Sequence, residues 1–284
     1  MRNSNGRTIG GVSDLPLARW REYGDLLTDS LWVLGDRDNS GRHDGFYHGN
    51  FIPQIPNQLM RRYTAAGDVV LDAFLGGGTT MIEARRLGRH SIGVELLPEI
   101  VKIAKRAAET QPVELIKSPN SDVFAETVVG DSGAEKTRDK VAAVLAKHGR
   151  ENLDLIILHP PYHDIIQFSD RPEDLSNAEN TDEFARRFGA VVANFSPMLR
   201  ARRYLAVVIG DKYADGEWVP LGFRVMEETL RRDKTLSLKS IVVKNMINNR
   251  AKRNKENLWR YRALAGGFYV FRHEYILLFQ KRTT

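Results

Sequence analysis

Residues 68–80 read Asp-Val-Val-Leu-Asp-Ala-Phe-Leu-Gly-Gly-Gly-Thr-Thr, and this stretch decides the fold. Residues 69–71 form an apolar, β-branched run that is typical of a buried parallel strand. Asp72 closes the run, three glycines follow, and Thr79 opens a helical pattern. A strand, a glycine turn and a helix in this order allow the backbone to approach a ligand closely.

The glycine turn does not match the usual patterns for nucleoside triphosphates or for dinucleotides. It lacks the Gly-Lys-Ser/Thr ending of a phosphate loop, and its spacing differs from the dinucleotide pattern Gly-x-Gly-x-x-Gly. An ordinary tight turn fits the stretch as well as a ligand site does, so the remainder of the chain has to decide between them.

Composition limits the class of protein. The 284 residues suit one α/β domain or one domain with an insertion, and 42% hydrophobic residues are enough for a core. Because Cys is absent, disulfides and thiolate metal sites are excluded. Without a long apolar run or an apolar leader, we expect a soluble, cytoplasmic protein. A net charge of +6 suits a polyanionic partner without proving one.

A second informative stretch follows another apolar strand. Residues 153–158 deliver His159-Pro160-Pro161-Tyr162. Two consecutive prolines cannot continue a strand ladder, so the chain leaves the sheet here with a fixed backbone. The alternative is a proline-ended strand with a packed Tyr.

The pattern of the whole chain alternates strands and helices. Strands are predicted at residues 69–71, 91–95, 124–130, 153–158, 204–209, 236–243 and 275–279. Helices are predicted at residues 57–63, 79–87, 98–109, 141–149, 182–200 and 220–232, with Asn57 and Thr181 as N-caps. Polar residues at strand ends are then expected to meet at one edge of the sheet.

Three motifs resemble those of one enzyme family. Asp72 before Phe-x-Gly-x-Gly-Thr-Thr resembles motif I of the amino-methyltransferases, and His159-Pro160-Pro161-Tyr162 resembles their motif IV, (Asp/Asn/Ser)-Pro-Pro-(Tyr/Phe), with His in the first position. Residues 48–56 resemble motif X, with a packing segment that leads into the first strand as the alternative. From about residue 48 to 281 the chain resembles the S-adenosylmethionine-dependent DNA amino-methyltransferases, which modify adenine N6 or cytosine N4. The motif order X, I, IV marks it as a permuted relative.

The resemblance implies an α/β fold and a domain division. The expected fold is a Rossmann-like, seven-stranded class I methyltransferase sheet, mostly parallel with an antiparallel last strand. Residues 1–47 are interpreted as a tail and packing segment, and residues 48–284 as the catalytic domain.

The resemblance also implies a cofactor site for S-adenosylmethionine. Its residues are His48, Phe51, Pro53, Asp72, Phe74, Gly76, Gly78, Thr79, Thr80, Glu95 and Asp131. Glu95 has independent support, because an acid about twenty residues beyond a glycine turn can accept both ribose hydroxyl protons. A solvated strand-end carboxylate is the alternative.

The implied catalytic residues are His159, Pro160, Pro161 and Tyr162. In the family, the first side chain of motif IV and the carbonyl after it accept protons of the base amine, and the aromatic ring stacks on a base rotated out of the duplex. Imidazole accepts a hydrogen bond only when it is neutral, and its reference pKa is about 6.5. Adenine N6 is slightly favoured over cytosine N4 as the target.

A basic stretch is predicted to contact nucleic acid. Residues 244–262 are interpreted as a basic loop with Lys244, Arg250, Lys252, Arg253, Lys255 and Arg260, interleaved with Asn and one Trp. A solvated loop is the alternative. The expected partner is DNA, with a restriction or defence-system protein beside it as a further candidate, and no membrane or metal. The competing functions are an RNA or protein amide methyltransferase and a catalytically silent DNA-binding subunit.

Overall fold

The computed structural model describes residues 6–43, 47, 49–112, 123–246 and 256–283. The strands are β1 (Leu31–Trp32), β2 (Val69–Asp72), β3 (His90–Glu95), β4 (Ala125–Val129), β5 (Leu153–Leu158), β6 (Leu199–Ile209), β7 (Lys212–Ala214), β8 (Glu217–Val219), β9 (Leu236–Asn245) and β10 (His273–Lys281). The α-helices are α1 (Gln54–Tyr63), α2 (Thr79–Arg86), α3 (Pro98–Thr110), α4 (Glu135–Lys147), α5 (Thr181–Phe195), α6 (Leu221–Arg232) and α7 (Glu256–Gly266).

The main sheet has the order β1-β9-β10-β6-β5-β2-β3-β4. The last strand, β10, runs antiparallel to both of its neighbours, and every other pair of neighbours in this sheet is parallel. The predicted mostly parallel sheet with an antiparallel last strand is therefore confirmed. Within the described residues the sheet has an eighth strand that the sequence did not predict. It is the two-residue β1, which lies beside β9.

Apolar layers cover both faces of the sheet. Val69 and Leu71 of β2 face the core cluster that includes side chains of α4, α5 and α6. Val70 faces the opposite cluster, to which α1 and α2 contribute. Because successive strand side chains alternate between faces, a strand covered on both sides needs an unbroken apolar run. This burial explains why β2 was recognisable from sequence.

Two helix caps differ from the prediction. Asn57 lies inside α1, where its Nδ2 donates a hydrogen bond to Glu83 Oε2 at 2.7 Å. The α5 cap is Asn180 rather than Thr181, and its Oδ1 accepts the Glu183 N–H at 2.9 Å. In the first case the Asn57 side chain donates to Glu83, a carboxylate that is distant in sequence. Local sequence cannot reveal such a partner.

The predicted basic loop at residues 244–262 is also wrong as a single loop. Strand β9 continues to Asn245, and residues 256–266 form α7. Lys244 is thus a strand residue, and its backbone register partner is Glu274 of β10. Long-range pairing extends β9 further than the local polar composition predicts.

The segment before α1 packs against the domain. The Leu27 N–H donates to Gln58 Oε1 at 2.9 Å, and Gln58 Nε2 donates to the Asp25 carbonyl at 2.8 Å. The boundary between residues 47 and 48 stays a prediction. Across the part of the chain that the structure describes, none of the helices is sufficiently long and apolar to cross a membrane.

Candidate active site

The carboxyl ends of β2, β3 and β5 open into a cavity of about 790 Å³. This is the edge at which open α/β sheets bind ligands. The predicted site residues that line it are Phe51, Asp72, Phe74, Gly76, Thr79, Glu95, Asp131, His159, Pro160, Pro161, Tyr162 and Lys244. The structure therefore brings both informative stretches of the sequence to one place.

The other predicted site residues do not line this cavity or lie outside the described residues. Pro53 is the N-cap of α1, and Arg260 lies on α7. Gly78 has a φ of 85°, and a Cβ there would lie 2.9 Å from the Ala104 Cβ, so this position needs glycine. The predicted residues outside the described ranges are His48, Arg250, Lys252, Arg253 and Lys255.

Asp72 is buried and accepts hydrogen bonds from residues on both sides of the three glycines. Its Oδ1 accepts the Phe74 N–H at 2.9 Å, and its Oδ2 accepts the Thr80 hydroxyl at 2.5 Å. Burial raises the pKa of Asp72 to about 6, against the lowering effect of these two hydrogen bonds. Thr80 thus acts on the turn through Asp72.

Glu95 binds the turn from the end of β3. Its Oε2 accepts the Gly76 N–H at 2.9 Å, and its Oε1 accepts the Leu97 N–H at 3.1 Å. Desolvation raises the pKa of this carboxyl, and the two backbone donors oppose the rise. Each oxygen has a second lone pair, so a carboxylate held in this way can still accept two ligand hydroxyls.

Two residues that lie beside the glycine turn, Tyr47 and Asn50, were not predicted from the sequence. The Asn50 Oδ1 accepts the Gly77 N–H at 3.1 Å. Tyr47 lies beside it, and its ring stacks on Phe168 with centroids 5.9 Å apart. Asn50 stands inside the stretch that resembles motif X, but nothing in its local pattern distinguishes it from a loop amide.

Asp131 follows β4 and lines the cavity. Its Oδ1 accepts the Gly133 N–H at 2.8 Å, which closes a small turn. The neighbouring Ser132 donates its hydroxyl to the Ala73 carbonyl at 2.6 Å. The Ser132 bond ties the end of β4 to Ala73, the residue after Asp72.

His159 and Tyr162 belong to a hydrogen-bonded network with two residues of neighbouring strands. His159 Nε2 lies 3.3 Å from the Tyr162 hydroxyl, and that hydroxyl donates to Glu274 Oε2 at 2.7 Å. Lys244 Nζ donates to Glu274 Oε1 at 2.8 Å. We call these four residues the His159–Lys244 network. Tyr162 also packs closely on Gly210, where a Cβ would lie 2.8 Å from the ring.

The surroundings of His159 favour its neutral form. Desolvation lowers the pKa of His159 to about 4. Glu274 acts against this change, and Lys244 reinforces it. The Phe51 ring meets the imidazole edge-on, with centroids 4.7 Å apart. A ring held in this way is uncharged at neutral pH and can accept one hydrogen bond.

The structure places Lys244 in a different environment from the one that a phosphate contact needs. The Lys244 and Glu274 side chains are each only 8% exposed, and together they form an ion pair. A phosphate contact needs an ammonium group that faces solvent, whereas this one faces a buried carboxylate and the cavity. Glu274 itself was missed, because the apolar pattern starts the last strand at Tyr275, one residue later.

The fold resembles that of a solved structure. The chain resembles the crystal structure of TrmN from Thermus thermophilus with a TM-score of 0.50 and 12% identity, over 82% of this chain and 50% of that one. At that identity the likeness shows a shared fold. The predicted class I methyltransferase fold is confirmed at this level.

Parts of the sequence are similar to known DNA methyltransferases. Residues 16–106 match the model of a DNA methylase family. The type II methyltransferase M.MjaII of Methanocaldococcus jannaschii is 30% identical over 124 residues, 41% of this chain and 23% of that protein. M.BglI of Bacillus subtilis is 34% identical over 105 residues, 37% of this chain and 28% of that protein. Over these segments the chain is similar to DNA methyltransferases, and the predicted resemblance to the DNA amino-methyltransferase family is confirmed.

The aligned segments span about a quarter of those relatives' lengths, 23% and 28%. The family match supports S-adenosylmethionine as the methyl donor. Among the described residues no group of three or more His, Asp or Glu side chains could hold a metal ion. The absence of a metal stays a prediction.

Proposed function

We propose that the chain is a DNA amino-methyltransferase that transfers a methyl group from S-adenosylmethionine to an exocyclic base amine, with adenine N6 favoured over cytosine N4. The observation that carries the proposal is the shared cavity. The carboxylate-held glycine turn and the His159-Pro160-Pro161-Tyr162 motif open into the same space, one beside the other. A cofactor and a target base could therefore meet there.

The residues around the turn fit the cofactor. Glu95 retains lone pairs for two ribose hydroxyls, and Asp131 stands at the next strand end for the adenine amino group. Phe51 contributes apolar surface to the same cavity beside His159. When bound, S-adenosylmethionine supplies an electrophilic methyl group.

The chemistry requires a better nucleophile than a free base amine. Its lone pair is delocalised into the ring, and acceptors at its two protons favour the geometry in which the lone pair can attack. His159 provides one acceptor, and the Pro160 carbonyl provides the other. The Tyr162 ring, fixed by Glu274 and Gly210, provides a stacking surface for a base rotated out of the duplex. Positioning and electrostatics then carry most of the rate.

One experiment tests this function and separates it from the alternatives. The full chain is incubated with methyl-labelled S-adenosylmethionine and with DNA, RNA or a protein mixture, and the products are digested and analysed. Label in N6-methyladenine or N4-methylcytosine of DNA supports the proposal and identifies the base. Label only in RNA or protein supports the amide or RNA alternative. DNA binding without transfer supports a silent DNA-binding subunit.

A Glu95→Ala variant is expected to bind S-adenosylmethionine about 10- to 100-fold more weakly. It loses a charged acceptor for two hydroxyls, which corresponds to about 1.5–3 kcal/mol. Isothermal titration calorimetry measures the change. The matched control is Glu99→Ala, because Glu99 is an exposed acid at the start of α3. Equal affinity in the Glu95 variant and the wild type would remove the ribose assignment.

The predicted nucleic-acid contact is tested by charge reversal. Changing Arg250, Lys252 and Arg253 to Glu should weaken DNA binding at low salt and flatten its salt dependence, since fewer counterions are released. The dissociation constant for DNA is measured across salt concentrations.

The charge-matched control for this reversal lies on α3. Lys102, Lys105 and Arg106 are exposed there, and their reversal to Glu makes the same change in net charge. A salt slope reduced equally by both triple variants would mean that only the overall charge matters. A slope unchanged in the first variant would remove the DNA contact at residues 250–253.

A further inference from the structure

The His159–Lys244 network allows its protons to be assigned. Lys244 Nζ has only donors, so Glu274 Oε1 accepts from it at 2.8 Å. The Glu274 carboxylate, which forms an ion pair with Lys244, has only acceptors. The Tyr162 hydroxyl must therefore donate to Glu274 Oε2 at 2.7 Å.

The donor in the contact between His159 and Tyr162 follows from these two hydrogen bonds. A tyrosine hydroxyl has one proton, and here that proton points to Glu274. Across the 3.3 Å contact, Tyr162 can only accept, so the proton must come from His159 Nε2. In the opposite arrangement Tyr162 would donate to His159. Two acceptor oxygens would then face each other at 2.7 Å, which is the less stable choice because the charged hydrogen bond is the stronger one.

We propose that Glu274 is a positioning residue. Through Tyr162 it holds His159 in the Nε2–H tautomer, and this tautomer leaves Nδ1 as the nitrogen that accepts a proton of the target amine. Lys244 has a supporting part, because its hydrogen bond to Glu274 Oε1 leaves Oε2 to face Tyr162. The last step of the inference, acceptance from the amine, rests on the proposed function.

The proposal explains why a histidine can occupy a position where the family has Asp, Asn or Ser. A neutral imidazole has one donor and one acceptor nitrogen, and only one of its two tautomers places the acceptor at Nδ1. Within the described part of the chain, no hydrogen bond involves His159 Nδ1, whereas Nε2 is engaged by Tyr162. The network therefore selects between two forms that would otherwise both be populated.

In a Glu274→Gln variant, we expect His159 to adopt the opposite tautomer. The Lys244 ammonium should retain the Gln oxygen, and this turns the amide NH₂ towards Tyr162. Tyr162 then accepts from the amide and donates its own proton to His159 Nε2. We expect the His159 tautomer to invert to Nδ1–H. In the double variant Lys244→Met/Glu274→Gln the Gln oxygen is free to face Tyr162, and the Nε2–H form should return.

The measurement is a long-range ¹H–¹⁵N correlation spectrum of the uniformly ¹⁵N-labelled full chain. The His159 signals are assigned by their loss in His159→Gln. The Nε2–H form in the wild type, its inversion in Glu274→Gln and its return in the double variant are the expected results. A wild type in the Nδ1–H form, or a Glu274→Gln variant with an unchanged tautomer, would overturn the proposal.

The matched control is Tyr275→Phe. Tyr275 is the next residue on β10, and its hydroxyl lies 3.2 Å from Asp211, outside the His159–Lys244 network. This variant removes the contacts of the Tyr275 hydroxyl with Asp211 and with His273 Nε2, and it should leave the His159 tautomer unchanged. A tautomer shift of the same size in Tyr275→Phe would show that the signal reports general disturbance of β10, and this result would also overturn the proposal.

Turnover gives a second and separate readout. Glu274→Gln should slow the single-turnover rate on DNA about 100-fold or more, since a correctly placed proton acceptor contributes roughly 10²–10⁴-fold. Affinities for DNA and S-adenosylmethionine should stay within about 3-fold of the wild type. A loss of affinity with an unchanged rate would contradict a positioning role. Failure of the wild type to methylate DNA, RNA or protein would count against the proposed function, while the tautomer result would still decide the network.

Discussion

A His159→Ala variant is expected to transfer methyl groups about 10²–10⁴-fold more slowly than the wild type in a single turnover. The variant loses an acceptor whose interaction strengthens as the amine attacks, so the rate falls more than substrate affinity does. Cofactor affinity should hardly change, because Glu95 and the glycine turn lie at other strand ends. Rapid-quench transfer of a labelled methyl group at saturating cofactor measures the rate.

The pH dependence of this rate follows from the lowered pKa of His159. Desolvation lowers that pKa from 6.5 to about 4, with Glu274 acting against the change and Lys244 reinforcing it. The imidazole is an acceptor above its pKa and loses this capacity below it. Any acid limb due to His159 should therefore lie near pH 4, well below the pH of about 6.5 that an unperturbed imidazole would give.

The pH should affect cofactor affinity and the transfer rate through different residues. The pKa of Asp72 is raised to about 6 by burial, so Asp72 and the turn that it holds should contribute a change in cofactor affinity near pH 6, to which Glu95, whose pKa is also raised, can add. At saturating cofactor the single-turnover rate should be flat across that range. An acid limb near pH 6.5 that disappears in His159→Ala would show that the imidazole is solvated and that its inferred burial is wrong.

Two further variants test whether the acceptor itself matters. His159→Asn restores an acceptor that the family uses at this position, so it should recover part of the rate lost in His159→Ala. His148→Ala is the matched control, since that ring contacts Glu126, which like His148 lies outside the lining of the cavity. If His159→Ala turned over like the wild type, the catalytic role of His159 would be wrong.

The sequence predicted those features that a local pattern determines. Strand β2 is covered on both faces, so its residues form an apolar run that needs no knowledge of the partner strands. The turn after Asp72 requires glycine at Gly78 for steric reasons, and this requirement is also visible locally. The Pro160-Pro161 pair ends β5 because it cannot continue a ladder.

Features that depend on distant partners were not predictable in this way. Asn57 has the side chain of a helix cap, but Glu83 accepts its hydrogen bond. Asn50 contacts the glycine turn although 27 residues separate it from Gly77. Because the register between β9 and β10 sets which charges meet, the composition of either strand alone could not show the contact between Lys244 and Glu274.

Lys244→Ala is expected to lower the free energy of unfolding by about 3–5 kcal/mol, because it leaves the Glu274 carboxylate buried without its partner. Both side chains are only 8% exposed, so water can replace the lost ammonium group only incompletely. Urea titration of the wild type and the variant at neutral pH measures the difference. The control is Lys239→Ala, an exposed lysine on the same strand, which should change stability by no more than about 0.5 kcal/mol.

A double variant distinguishes the buried pair from simple loss of a side chain. Lys244→Met/Glu274→Leu replaces both charges by apolar groups of similar volume, so it should recover most of the stability lost in Lys244→Ala. Any catalytic loss should remain, because Tyr162 has then lost its acceptor. The sequence-based interpretation predicts the reverse for Lys244→Ala, since removing a phosphate contact would reduce the salt slope of DNA binding by about one and leave stability unchanged. Unchanged stability with a reduced slope would place Lys244 on the DNA surface and refute the buried ion pair.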